Sequence, residues 1–430
     1  MKEPHMVSER LGRWPEAKEP PTVSERLGRW PAYYTVVLLL CGAVFISYID
    51  RTNISVGAIA MQAQFGWNET QKGLVLSAFF VGYILLMLIS GTLADRYGGK
   101  NVLGVAVLWW SLFTMLTPPA ALVSLPVLVA TRIALGLGEA AVFPASINLI
   151  GRWVPPLGRS RAVALVTTTL SLATVFSLLV TGWLVRSHGW PLPFYAFGAV
   201  GVVWAVGWFA TVSGGYAVEP PASSESMIIP WGRLLRLPAV WAIVVGHFCS
   251  NWFLYVLVAW SPSYFKSTFG VTLVNAGMLA AAPWLTGFLA GNAAGNLADR
   301  LLRAGWSATF VRKLMQTIGL GVGGILLVQL PAAGSVTEGL VLMCCATGAW
   351  SFCAAGFAPN CFDVAPRYAG IIWGLSNTVA TLPGIIGIFV TGWLVDRTGS
   401  YAAPFFLTAA ISILGALVYL ACASGERKID

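Results

Sequence analysis

Two carboxylates and two guanidiniums stand in stretches of sequence otherwise too apolar to hold them. Asp50 and Arg51 are adjacent in Tyr48-Ile-Asp-Arg-Thr-Asn53, with apolar runs at 36–46 before them and 54–61 after. A helix over 33–61 is roughly 43 Å long at about 1.5 Å per residue, so it can cross a bilayer and keeps Asp50 and Arg51 deep within it. Arg132 and Glu139 are seven residues apart in a second apolar stretch, hence on one helix face about two turns apart. A charge at the bilayer centre costs about 2.5–3.5 kcal/mol on insertion scales, so such groups face a cavity or one another. Arginine offers a planar, always-charged fork that fits a carboxylate or phosphate through paired hydrogen bonds. For a carboxylate in a low-dielectric chamber, desolvation and a neighbouring arginine act in opposite senses, so it can exchange its proton near neutral pH. The four residues together predict a membrane-buried anion site, with Arg51 and Arg132 as anion ligands and Asp50 and Glu139 as proton carriers. A structural ion pair is the alternative, although one such pair needs only two of the four groups.

Other side chains fall at spacings that bring them to the same place. Tyr48 lies one turn before Arg51, and Phe79 and Tyr83 lie one turn apart in the next apolar segment; they are candidate pocket walls or ordinary packing. The segment His247-Phe-Cys-Ser-Asn251-Trp-Phe-Leu-Tyr255 is polar enough for a cavity wall. Asn377 is either a ligand for a substrate hydroxyl or carboxylate or a partner in a helix–helix hydrogen bond. Gly136 and Gly138 thin the helix that carries Arg132 and Glu139 and let another backbone come close.

The elements that must position these residues are membrane helices. Hydrophobic residues make up 57% of the chain and charged ones 10%, with mean hydropathy +0.75. That excludes an ordinary soluble protein, and continuous apolar runs of about 20 residues exclude a β-barrel. The net charge of +9 is scattered over short loops, so nucleic acid is not an expected partner. The seven cysteines lie inside apolar segments and three histidines are dispersed, so neither a disulfide framework, a metal site nor a cofactor is expected. No Ser–His pair, metal cluster or aspartate dyad suggests an enzyme.

Twelve spans are predicted, at about 33–61, 72–94, 101–118, 122–148, 160–186, 192–213, 238–265, 271–298, 310–330, 335–361, 368–394 and 401–423. With the N-terminus in the cytoplasm, Lys72, Arg186, Lys266 and Arg397 are the basic residues left on the opposite side. The positive-inside rule therefore predicts both termini in the cytoplasm. Residues 1–32 form a polar basic tail in which the phrase at 7–15 recurs at 23–31, expected to be disordered and not a secretory signal. Gly91-Thr-Leu-Ala-Asp95-Arg96 is echoed by Gly295-Asn-Leu-Ala-Asp299-Arg300, and Thr181-Gly-Trp-Leu-Val185 by Thr391-Gly-Trp-Leu-Val395, at offsets of 204 and 210. The reading is an all-α membrane protein of two six-helix pseudo-repeats, 33–213 and 238–423, with a cytoplasmic linker at 214–237 and a cytoplasmic tail at 424–430.

The segment from Gly91 through Asp95, Arg96 and Gly99 to Lys100 resembles the cytoplasmic signature loop of the major facilitator superfamily. That resemblance implies a conformational latch built from Asp95, Arg96 and their echoes Asp299 and Arg300, with Gly91 permitting close helix contact. The phrases at 50–55, 132–144, 247–252 and 363–378 are similar to the anion:cation symporter branch, over about residues 35–420, those of spans 7–11 most of all to the plant plastidic carriers. The branch implies Arg51 and Arg132 as anion ligands, Glu139 as the proton-coupling acid, Asp50 as a second acidic position, and Tyr48, Phe79 and Tyr83 as pocket walls. Leu76 and Ser250 depart from the vesicular glutamate carriers, which have histidine and arginine there. Thr381 departs from the bacterial sugar-acid carriers, which have asparagine. The expected activity is symport of a small organic anion with H⁺ by a monomer in the cell inner membrane. Na⁺-coupled phosphate uptake is the alternative within the class; an anion-binding membrane sensor is the alternative outside it.

Overall fold

The computed structural model describes residues 32–155, 158–212 and 229–429. The expected N-terminal tail and most of the expected linker lie outside the described residues. Twelve helices long and apolar enough to cross a membrane are present among them: Tyr33–Phe65, Glu69–Met87, Gly99–Val123, Leu125–Trp153, Arg161–His188, Pro191–Thr211, Pro238–Phe269, Leu273–Arg303, Ala308–Ala332, Val336–Val364, Pro366–Thr398 and Ala402–Cys422. They are spans 1 to 12 below. All twelve predicted spans are present. Several run a turn beyond the sequence estimate, because a helix continues past its apolar run wherever caps or charged ends can meet water. Asn68, for example, caps span 2 in a reciprocal box with Gln71. Span 3 runs on past the expected end at 118, through Pro118 and Pro119, to Val123; membrane helices tolerate proline when neighbours make good the lost bond.

The repeat visible in sequence is also a repeat of backbone contacts. A Cβ on Gly73 of span 2 would sit 3.2 Å from the Ile388 carbonyl of span 11, and one on Gly277 of span 8 would sit 2.6 Å from the Leu178 carbonyl of span 5. These pairs stand at the same offsets, 204 and 210, as the repeated phrases. Spans 4 and 10 share a further feature. Span 4 breaks between Leu125–Glu139 and Val142–Trp153, and span 10 breaks between Val336–Trp350 and Cys353–Val364. Glu139 closes the first half of the broken span 4.

Within the first half, spans 2 and 4 meet backbone to backbone. A Cβ on Gly82 would fall 1.8 Å from the Ile133 carbonyl, and one on Gly136 would fall 2.0 Å from the Phe79 carbonyl. Only glycine allows this approach, which carries Phe79 and Tyr83 up to the helix of Arg132 and Glu139. Gly138 faces Trp109 and Trp110 of span 3 in the same way. Gly91 is different: a Cβ there meets nothing within 4 Å, so the close contact expected of it is not made in this conformation. The end of the chain is not a free tail either. Asn360 donates to the Ser424 carbonyl, Gly425 N–H donates to the Thr309 hydroxyl and Lys428 N–H donates to the Val364 carbonyl, so the last residues are laced to spans 9 and 10.

Overpacking a tight contact costs about 1–3 kcal/mol and more when the neighbour is backbone. Gly136→Ala should therefore cut the yield of monodisperse protein in detergent several-fold by size-exclusion chromatography, whereas Gly91→Ala should leave it unchanged.

Candidate functional site

Span 1 directs its two charges to different surroundings. Arg51 faces the space between the halves, where a cavity of about 440 Å³ is lined by Tyr48, Arg51, Thr52 and Ser55 of span 1. The rest of its wall comes from spans 2, 5, 7, 8, 10 and 11, and includes Phe80, Asn251, Tyr255, Trp284 and Trp350. Asp50 is turned away into the first half and is completely buried.

The Arg51 guanidinium binds Glu139 Oε2 through Nη2 at 3.1 Å and Nε at 3.3 Å. Ser47 Oγ donates to the same oxygen at 2.8 Å. Three rings surround the guanidinium: the centroids of Tyr48, Phe79 and Tyr83 lie 4.7, 4.6 and 4.8 Å from Cζ. Each such contact contributes about 0.5–2 kcal/mol, more where water is excluded. Arg132 Cζ lies 5.7 Å from the Phe79 ring, so the two arginines share that aromatic side chain. Arg132 is 1% exposed, and neither Nε nor Nη1 has a hydrogen-bond partner. Glu139 Oε1 is likewise buried and unpartnered. Arg51, Arg132 and Glu139 thus meet in one place, with Arg51 and Tyr48 at the cavity wall and Arg132, Glu139, Phe79 and Tyr83 in the layer behind it, while Asp50 lies on the other side of span 1.

Asn377 is placed elsewhere. Its Nδ2 lies 3.4 Å from Met87 Sδ of span 2 and it does not line the cavity; the helix–helix alternative describes its position. The second half contributes Tyr255 instead. Its ring lies 4.5 Å from that of Phe80, and it is one of the groups acting electrostatically on Arg51. A row of hydroxyls on span 5, Thr167, Thr168, Ser171 and Thr174, also lines the cavity. The sequence signal for that row is hydroxyls at one-turn spacing within an apolar span.

Access is one-sided. At the end where spans 1 and 2 join, the Asp396 carboxylate of span 11 accepts the Glu69 N–H at 2.8 Å and the Thr70 N–H at 2.7 Å, and also the Thr70 hydroxyl. These are the free N–H groups at the start of span 2, which favour a negative partner. Lys72, 2% exposed, pairs with Glu69 at 2.5 Å, donates to Gln62 Oε1 at 2.9 Å and sits 4.9 Å from the Trp260 ring of span 7. At the opposite end, Asp95 accepts from Asn148 Nδ2 at 2.7 Å within its own half. Arg96 lies over Tyr97, and Arg303 donates to the Asp299 carbonyl. Among the described residues no ion pair joins Asp95 or Arg96 to Asp299 or Arg300 across the halves. The molecule is closed at the Asp396 end, and its cavity extends toward the Asp95 end through Thr167, Asn292 and Phe357.

Twelve helices in two related halves around a central, one-sided cavity define a membrane transporter. The model of the Major Facilitator Superfamily matches residues 40–388, and the chain belongs to that family. Over 410 residues it is 38% identical to the "Sodium-dependent phosphate transport protein 1, chloroplastic" of Arabidopsis thaliana, covering 92% of this chain and 80% of that one. It is 36% identical, over 410 residues, to the "Ascorbate transporter, chloroplastic" of the same plant, covering 92% and 76%. These are the plastidic carriers that the phrases of spans 7–11 resemble. Among solved structures, an inward-facing bacterial homolog of the human lysosomal transporter Spinster superposes with a TM-score of 0.77 at 18% identity, over 92% of this chain and 98% of that one. A D-xylose–proton symporter gives 0.74 at 15%, over 92% and 100%. Both share the fold.

Asp396→Ala removes three hydrogen bonds to a carboxylate, each worth about 1.5–3 kcal/mol, and should release the closed end. In cysteine-free protein carrying Thr52→Cys, membrane-impermeant maleimide added from the Asp396 side should label about tenfold faster than without Asp396→Ala.

Proposed function

We propose that the protein is a secondary active symporter that moves a small organic anion together with H⁺ by alternating access. The observation that carries the reading is the Arg51 guanidinium at the cavity wall, held by Glu139 and walled by three aromatic rings. Arg51 binds the carboxylate of the substrate, Tyr48 and Tyr255 pack on its body, and Arg132 supplies the second positive charge from behind Phe79. Asp50 and Glu139 carry the coupling proton. Charge balance supports this division. Two guanidiniums and two carboxylates sum to zero, an arriving anion makes the cluster negative, and one proton restores neutrality. A neutral cluster avoids the cost of carrying net charge through the low-dielectric centre.

The wall favours an organic anion. A cavity of about 440 Å³ bounded by Phe80, Tyr255, Trp284 and Trp350 is several times larger than inorganic phosphate and has aromatic side chains in its wall, while the hydroxyls of span 5 suit a polyhydroxylated substrate. Na⁺-coupled phosphate transport is the second reading, favoured by the name of the Arabidopsis relative. Asp95, Arg96, Asp299 and Arg300 act as the latch when the open end closes. With the basic loops in the cytoplasm both termini are cytoplasmic and the cavity is inward-facing, in a cell inner membrane.

In proteoliposomes with an imposed pH step, Arg51→Ala and Arg132→Ala should each abolish uptake. Glu139→Gln should block pH-driven uptake and retain counterflow exchange; unaltered pH-driven uptake in Glu139→Gln rejects the proton assignment. Counterflow against unlabelled phosphate, ascorbate, gluconate, glucuronate, glutamate and sialate identifies the anion. Inhibition by phosphate alone, with Na⁺ required in place of choline at fixed pH, would favour the second reading.

A further inference from the structure

The repeat that builds the two halves gives each charged residue of the first half a counterpart in the second. Spans 1 and 2 map onto spans 7 and 8 at an offset of 204, that of the repeated Leu-Ala-Asp-Arg phrase. The breaks of spans 4 and 10 stand at an offset of 211, from Glu139 to Trp350 and from Val142 to Cys353. In that register Asp50, Arg51, Arg132 and Glu139 correspond to Leu254, Tyr255, Met343 and Trp350. None of the four counterparts is charged.

The second half is nevertheless assembled in the same way. In the first half Ser47 of span 1 donates to Glu139 at the break of span 4. In the second, Trp350 at the break of span 10 is bonded to Ser250 of span 7: its Nε1–H donates to the Ser250 carbonyl at 2.9 Å and to the hydroxyl at 3.0 Å. Phe253 lies parallel to the Trp350 ring at 5.9 Å between centroids, and Trp284, the counterpart of Phe80, stands edge-on to it at 6.1 Å. Asn251 Nδ2 donates to the Ala380 carbonyl at 2.9 Å and to the Tyr255 hydroxyl at 3.4 Å. The Tyr255 proton and the Asn251 carbonyl oxygen therefore remain for a ligand. Ser250, Asn251, Tyr255, Trp284 and Trp350 all line the cavity. Among the described residues that line it, Arg51 is the one charged side chain.

A carboxylate on Arg51 thus leaves the rest of its molecule against aromatic carbon, an amide and hydroxyls. Those groups match C–H surface and neutral hydroxyls. A second negative charge would be taken out of water with no cation to meet it, which a buried site penalises. We propose that this uncharged counterpart of the anion site is the subsite for the body of the substrate, so that the protein takes organic monoanions and rejects dianions. Tyr255 stands where the first half has its guanidinium and is the residue that sets this selectivity. The inference rests on the anion reading of Arg51 and adds to it the charge class of the substrate.

The test compares gluconate with glucarate, which differ only in a terminal hydroxymethyl group against a second carboxylate. Glucuronate and ascorbate are added as ring-bodied monoanions. Thermal unfolding of purified protein in detergent at neutral pH is followed across a concentration series of each, at constant ionic strength. Wild type should respond to at least one monoanion at a concentration at least tenfold below that needed for glucarate. Tyr255→Arg, which gives the second half the guanidinium of the first, should reverse the order of glucarate and gluconate, whereas a merely structural Tyr255 would leave the order as it was. If Tyr255→Arg fails to fold, the wild-type comparison decides. Glucarate equal to or better than every monoanion in wild type, or an unchanged order in folded Tyr255→Arg, overturns the subsite. No response to any of the four anions in wild type overturns the anion reading and the subsite with it, so the two failures are distinct.

Discussion

An arginine at the wall of a membrane cavity is tolerable only because a carboxylate behind it balances its charge. The Arg51–Glu139 pair is that balance, and the surrounding structure serves it. Taking either ion out of water costs several kcal/mol, and removing one partner of such a pair costs about 3–5 kcal/mol because the other is left uncompensated. Ser47 fixes the carboxylate, and Tyr48, Phe79 and Tyr83 fix the guanidinium. The close approach of spans 2 and 4 at Gly82 and Gly136 brings those rings and that acid to one level. The pair also makes the site responsive. On the proposed symport reading, an anion entering the cavity would compete with Glu139 for the same guanidinium, and the cation that then neutralises the displaced carboxylate would be coupled to the anion through Coulomb's law.

Movement is built from the same repeat that builds the fold. Each half presents spans 2 and 5, or 8 and 11, to the other, and glycines at corresponding positions let these helices touch backbone to backbone at the closed end. The polar contacts there are not symmetric. Asp396 caps span 2, whereas the corresponding position on span 5 is Arg186. Asp396 on the start of span 2, together with Lys72 over the Trp260 ring, therefore joins the halves at that end. At the opposite end Asp95 is bonded within its own half, which leaves the halves free to part.

Much of this was legible in sequence, for a definite reason. Charge in an apolar run is expensive enough that Asp50, Arg51, Arg132 and Glu139 announced themselves, and repeated phrases announced the two halves. The direction of a side chain around its helix axis was not legible. Asn377 suits a ligand or a helix–helix contact equally by residue type and points at Met87; the segment ending in Tyr255 is polar enough for a cavity wall and does line the cavity, while the span 5 hydroxyls carry no charge to mark them and also face it. Asp396 was silent because its partners, Glu69 and Thr70, are more than 300 residues away. The signature-loop resemblance implies a close helix contact at Gly91 that this conformation does not make.

The central claim is that Glu139 and the transported anion compete for Arg51. Calorimetric titration of purified wild-type and Glu139→Gln protein with the anion identified by counterflow tests it most directly. Competition predicts that Glu139→Gln binds the anion at least tenfold more tightly at equilibrium. Binding weakened by a similar factor would mean that Glu139 supports the anion site instead of opposing it, and would contradict the account.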